Sequence, residues 1–329
     1  CATNLGVFNQ FVPVAPVNDQ ETISVLGNEI PVGNVSFPAP NFFKQNHAVI
    51  NLDYLQSAAT QHHIRFTFTN GADIDNTANL PEFFIAIPSK QRLFSYTLIH
   101  NFSTNLINER GLAFRRSSQS FPVPNIAFPG LTVFPNLTLD DLGLNIGPDQ
   151  NAPQFGIENN YQIVNNLTWS RGNHTFKFGG DFRWIISPQS FSQRVRGDYE
   201  YLSTEQFLLD LSPDAVGERN AGNSIYYGNQ KVLFAFAQDD WRIRPNLTLN
   251  LGLSYSYQQV PLGARTSQPL NAISTVPGLL EFREPKAQTT NFAPKVGFAW
   301  SPDYKEGLLG RIFGSGGKSS LRAGFSLGY

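Results

Sequence analysis

The chain has one cysteine, Cys1, so no internal disulfide can form. It has no methionine, not even at position 1. We therefore expect a fragment of a longer reading frame. The alternative is that Cys1 is a lipidated N-terminus left by signal-peptide cleavage, and the sequence carries no signal segment to support it. Charge is scarce: Asp, Glu, Lys and Arg make up 15% of the 329 residues, against about 25% in ordinary soluble domains. The net charge of -1 gives no basic footprint, which argues against nucleic acid as a partner. No run of about 18 apolar residues exists, so no transmembrane helix is expected. A transmembrane strand needs only about 10 residues with alternate ones apolar, so the membrane stays open.

Chemical motifs are also missing. His62 and His63 are adjacent and would point to opposite faces of a strand. With His47, His100 and His174 they give no zinc spacing, and no metal site is expected. Asp140-Asp141 and Asp239-Asp240 lack the spaced oxygen ligands of a calcium loop and read as a solvated loop and a strand end. "GRIFGSGGKSS" (310–320) misses the phosphate-loop spacing, because Ile312 stands where the first glycine belongs. There is no G-x-S-x-G elbow. No catalytic constellation and no cofactor are expected; the chain does not read as an enzyme.

What is present is alternation. "NLTLNLGLSYSYQ" (246–258) puts Leu247, Leu249, Leu251, Leu253, Tyr255 and Tyr257 on every second residue, with Thr248, Asn250, Gly252, Ser254 and Ser256 between. The same period-two pattern recurs at 47–55, 63–70, 92–102, 160–170, 174–186, 291–300 and 320–329. It is weaker at 106–116, and at 231–243 the facing is ambiguous. These ten strands come in pairs. Short joints with turn residues lie at 56–62, 103–105, 171–173 and 244–246. Long connections lie at 71–91, 117–159, 187–230 and 259–290. The joint 301–319 breaks the rhythm by being long and glycine-rich. A short helix is expected at 203–211, capped by Ser203 or Thr204.

Short turns alternating with long loops are the asymmetry of an outer-membrane barrel. A soluble β-sandwich also has alternating strands, but its joints need not alternate in length. The expected fold is all-β: an antiparallel up-and-down transmembrane β-barrel with long extracellular loops, here about ten strands of a larger barrel. Residues 1–46 read as an extracellular loop region and 47–329 as part of the barrel. The six aromatics Trp169, Trp184, Trp241, Trp300, Tyr255 and Tyr257 sit near strand ends and read as an interface girdle. Asp53, Arg65, Lys177, Asp181, Arg183, Lys295 and Arg322 alternate with the apolar set and read as lumen-facing. Plug docking or mutual pairing is their expected role, ahead of substrate contact. "FPVPNIAFPGLTVFPN" (121–136) is suited to packing on a ligand or on neighbouring loops.

"YQIVNNLTWSRGNHTFKFGGDFRW" (161–184), "FAFAQDDWRIRPNLTLNLGLSYSY" (234–257) and "NFAPKVGFAW" (291–300) resemble the barrel of TonB-dependent outer-membrane receptors, in particular the Oar-like group. "QDDWR" (238–242) followed by "NLTLNLGLSY" is the most specific piece. "HAVINLDYLQS" (47–57) and "GKSSLRAGFSLGY" (317–329) extend the resemblance over roughly 40–329. It implies a 22-stranded plugged barrel in the outer membrane of a Gram-negative bacterium, with lipid and an unidentified extracellular ligand as partners. Uptake of a bulky substrate would be powered by TonB. The plug and TonB box of the family have no counterpart in this chain, so no gating or coupling residue carries over. The other reading is a surface barrel, an adhesin or scaffold, through which nothing passes.

Overall fold

The computed structural model describes residues 2–16, 21–266, 276–279 and 285–329. Ten long strands build one antiparallel sheet in chain order. They are β1 (Phe43–Ser57), β2 (Thr60–Asp75), β3 (Ile85–Ser103), β4 (Leu106–Phe121), β5 (Gln154–Arg171), β6 (His174–Ile186), β7 (Gln230–Arg244), β8 (Leu247–Gln258), β9 (Phe292–Trp300) and β10 (Leu321–Ser326). Each pairs with its neighbour in sequence, so contacts are local and the topology is a meander. β1 and β10 are the two edges and do not pair with one another. Among the described residues no helix is long and apolar enough to cross a membrane.

All ten patterned segments are strands, but several run further than their alternation. β2 continues to Asp75 and β3 starts at Ile85, so the expected long loop 71–91 shrinks to 76–84. β4 likewise reaches Phe121 and β5 starts at Gln154. Alternation marks only the stretch with two different solvents. Backbone pairing needs no such pattern and carries the hairpins on past it. The connection 259–290 lies partly outside the described residues. The joint 301–319 holds a helix at Gly307–Phe313, and Phe313 packs on Trp300 with ring centroids 6.0 Å apart.

Among the described residues the sheet has no partner layer. Its apolar side chains stay exposed: Ile50 63%, Leu52 58%, Ile163 56% and Leu253 48%. The buried core lies elsewhere, among the loops at the opposite end from the short turns. There the helix Ala2–Phe11 meets the connections after β2, β4 and β6. Four short strands from two of these loops form a separate small sheet, with Asn136–Leu139 beside Leu144–Ile146 and Asp198–Tyr201 beside Val216–Glu218. Leu139 and Ile146 are 0% exposed, and Phe134 and Phe207 are 1% exposed. Rings of Phe11, Phe83 and Phe134 contact one another at 5.2–5.3 Å. The segment 121–136 thus packs on neighbouring loops, with Ile126, Phe128 and Leu131 against the core and Phe134 within it.

Candidate functional site

Residues opposite each other in an antiparallel pair share a face, so register assigns every strand residue to one side. Asn51 pairs with Arg65, Arg65 with Ser95, Ser95 with Ala113, Ala113 with Gln162, and Gln162 with Arg183. The neighbouring row joins Asp53, His63, Thr97, Gly111, Val164 and Asp181. Gly252 pairs with Lys295 and Ala299 with Arg322. Following the same parity through β7, all seven charged residues singled out in the sequence share one face. The six aromatics share the other: Trp184 pairs with Tyr161, Trp169 with Phe176, Trp241 with Leu249, and Trp300 with Leu247 and Leu321.

The ambiguous strand β7 is resolved by its partners. Leu233, Ala235, Ala237, Asp239 and Trp241 join the leucine face, while Phe234, Phe236, Gln238 and Asp240 join the charged one. Phe236 lies so close over Gly179 that a Cβ there would collide with its ring. Glycine at 179 lets an aromatic fill a polar wall.

Four of the seven residues singled out on the charged face are paired within it. Arg183 donates through Nε and Nη2 to Asp181 at 3.1 and 2.9 Å. Gln162 Nε2 donates to Asp181 at 2.7 Å. Lys177 reaches Asp240 at 3.2 Å, and Gln238 holds the other oxygen of Asp240 at 2.9 Å. His63 Nδ1 and Asp53 Oδ1 lie 2.6 Å apart. Lys177 therefore pairs across strands rather than with Asp181. Arg65, Lys295 and Arg322 have no ion-pair partner among the described residues. Gly252, Gly297 and Gly324 surround Lys295 and leave a shallow notch of about 290 Å³ in this wall.

Polar groups interrupt the leucine face, and sequence reading missed two of these places. His174 Nδ1 meets Asp239 Oδ2 at 2.7 Å, stacked between the rings of Phe176 and Trp241. Asp239 Oδ1 is buried there without a partner. So Asp239 is not simply a solvated strand-end residue; His174, the first residue of the neighbouring strand β6, accounts for it. Nearby, Arg110 Nε donates to Asn108 Oδ1 at 2.7 Å, and Asn108 Nδ2 donates to Asn165 Oδ1 at 3.1 Å. Arg110 stands in line with Leu112 and Phe114. Its place was readable from parity alone, since Asn108 and Arg110 fall on the same alternate positions as Leu106 and Leu112.

The loop cap carries its own polar joints. The helix Thr204–Leu208 is capped by Ser203, whose side chain accepts from Gln206 N at 3.3 Å. Asp141 accepts from Thr204 N and Oγ1, both at 2.7 Å, and Thr204 is 1% exposed. Asp141 is thus a buried-end tether between two loops, not a solvated loop residue. Arg194 bridges Asp198 at 2.7 Å and Glu218 at 3.2 Å. Its hydrogen bond to Asp198, and then the charges of Glu218 and Asp198, hold the guanidinium above its ordinary pKa. Burial pushes the Tyr201 phenol up, and Asp210 adds to the shift. Beside the cap core lies a cavity of about 670 Å³ with a mixed lining, apolar at Phe8, Val12, Val25 and Leu144 and polar at Asn79 and Thr204. That size suits a small ligand.

No curated protein matches the chain. Among solved structures, the outer membrane transporter YddB from Escherichia coli is 12% identical with a TM-score of 0.46, over 78% of this chain and 29% of its own. The copper transporter OprC is 12% identical with a TM-score of 0.46, over 87% of this chain and 37% of its own. The chain thus spans about a third of the length of the structures it matches. A family model described as "Outer membrane beta barrel domain" matches residues 7–329, nearly the whole chain. The protein belongs to this outer-membrane β-barrel family of the Gram-negative cell envelope.

Proposed function

We propose that the chain forms part of the wall of an outer-membrane transporter, with its leucine face in lipid and its charged face toward the lumen. On this reading residues 1–46 and the loop cap stand outside the cell, and 47–329 belong to the transmembrane barrel. A plug outside this chain would dock against Asp53, Arg65, Lys177, Asp181, Arg183, Lys295 and Arg322. TonB would supply the energy through that plug, as in the Oar-like receptors the sequence resembles. The extracellular ligand would first meet the loop cap, where the apolar part of the cavity lining favours a hydrophobic group.

One observation carries this reading. The seven ionisable residues that alternate with apolar ones share a single face of a one-layer sheet. A wall with lipid on one side and water or a plug on the other needs that sorting. Small residues on the same face leave room for a filled interior.

Uptake assays on cells making the native protein test the function. A panel of labelled metal chelates, glycans and peptides would be followed with TonB present and deleted. Internalisation that disappears without TonB supports the transporter. Surface binding that never leads to internalisation, and ignores TonB, supports the adhesin or scaffold.

A further inference from the structure

Toward the loops the leucine face carries a row of large side chains. Ile50, Phe66, Phe94, Phe114, Tyr161 and Trp184 are successive register partners across six strands. Directly above this row the same face changes character. Arg92 and Arg116 stand one step above the row, Lys90 two steps and Lys44 three, with Phe68, Ile74 and Ile157 among them on the same face. On these five strands, β1 to β5, no Asp or Glu stands on that face above the row; Asp73, Asp75 and Glu158 are all on the charged face.

Arg92 and Arg116 are direct cross-strand partners. Like charges in that position are destabilising unless something lies between them. What holds them is neutral. Arg92 donates to the Thr69 and Gln91 carbonyls at 2.8 Å and to Asn70 Oδ1 at 2.7 Å, and its guanidinium sits 4.0 Å over the Phe68 ring. Arg116 donates to Asn159 Oδ1 at 2.7 Å. None of the four cations has a carboxylate partner among the described residues. The two guanidiniums start from opposed positions and reach to either side, Arg92 over β2 and Arg116 over β5, and neither has a countercharge among the described residues.

We propose that this basic patch binds the phosphorylated headgroup of a lipid in the loop-side leaflet, with the acyl chains lying down the leucine face. The inference rests on the lipid-facing assignment above. Position selects a lipid over a free anion: Arg92 and Arg116 sit immediately above an aromatic row of the kind that marks the membrane boundary. The remaining N–H groups of each arginine are suited to a phosphate oxygen, and Lys90 and Lys44 add point charges farther up the same face.

The test uses the native protein in detergent with diphosphorylated lipid A as probe, followed by native mass spectrometry. Phosphatase-treated lipid A and inorganic phosphate serve as comparisons. The diphosphorylated lipid should bind, and the R92Q/R116Q variant should bind it roughly 30-fold more weakly. R92K/R116K should restore most of the affinity. Inorganic phosphate should not compete at equal concentration. If R92Q/R116Q does not fold, Ser118→Glu places a carboxylate opposite Lys90 and should also weaken binding. Equal binding by wild type and these variants, or by the dephosphorylated lipid, overturns the headgroup site. A fluorophore at Ile163→Cys in a Cys1→Ser protein separates the two layers of the argument. Quenching by bromine-labelled lipid with no phosphate dependence rejects the headgroup site alone. Absence of quenching rejects the facing on which it rests.

Discussion

The loop cap and the strand wall use the same apolar residues in opposite ways. In the cap, Leu139, Ile146, Phe134 and Phe207 are at most 1% exposed. In the wall, Ile50, Leu52, Ile163 and Leu253 range from 48% to 63% exposed. A cap surrounded by water must bury its own hydrophobic groups, as any domain does. A wall in a bilayer has no such need, because hydrocarbon replaces the missing layer. It must instead pair its backbone, which the ten-strand meander does. Two solvents explain both regions without a special rule for either.

The largest way to break this contrast is in the cap. Phe134→Ala removes the ring shared by Phe11, Phe83 and Phe128. The cap should lose about 3–5 kcal/mol, with faster amide exchange over 136–146 and 198–208. Exchange in β5 to β8 should stay slow. If the strands open together with the cap, the two regions are one cooperative unit and the contrast fails.

The next tests sit in the wall at matched positions. Arg110 and Leu251 are each the fifth residue of a strand that follows a short turn. Leu251→Arg puts a charge on the leucine face and should cost roughly 2–4 kcal/mol in a folding titration into bilayers. A neutral result contradicts the facing. Arg110→Leu is the reverse experiment and should stabilise by about 1–2 kcal/mol. The gain is smaller because Asn108 already satisfies Arg110 Nε and the long stem can reach toward the turn side. A loss on Arg110→Leu would mean that something other than lipid meets that polar gap. The smallest effect belongs to Ser203→Ala in the cap. It removes one N-cap bond and should cost about 1 kcal/mol, read as a local rise in exchange over 204–208.

The wall was legible in the sequence for the same reason it is stable. Period-two alternation is forced wherever a strand separates two media, so Leu247 to Tyr257 disclosed both strand and face. β7 was not legible, because its Phe234 and Phe236 face the charged side; the space over Gly179 explains Phe236. Strand ends were misjudged where pairing outlasts the alternation. The cap was almost invisible. Its core draws on Val7, Ala78, Phe134, Ile146 and Phe207, which are far apart in sequence and share no period. The charged residues were found, but not their partners: Asp240 for Lys177, His63 for Asp53, and Thr204 for Asp141 are products of register and loop packing.

The facing of the wall is tested most directly by two adjacent residues. Leu253 and Ser254 are replaced by cysteine in separate Cys1→Ser proteins, labelled with one fluorophore, and reconstituted with bromine-labelled lipid. The account predicts strong quenching at 253 and little at 254, because one residue faces hydrocarbon and its neighbour does not. Equal quenching at both, or quenching at 254 alone, would contradict it.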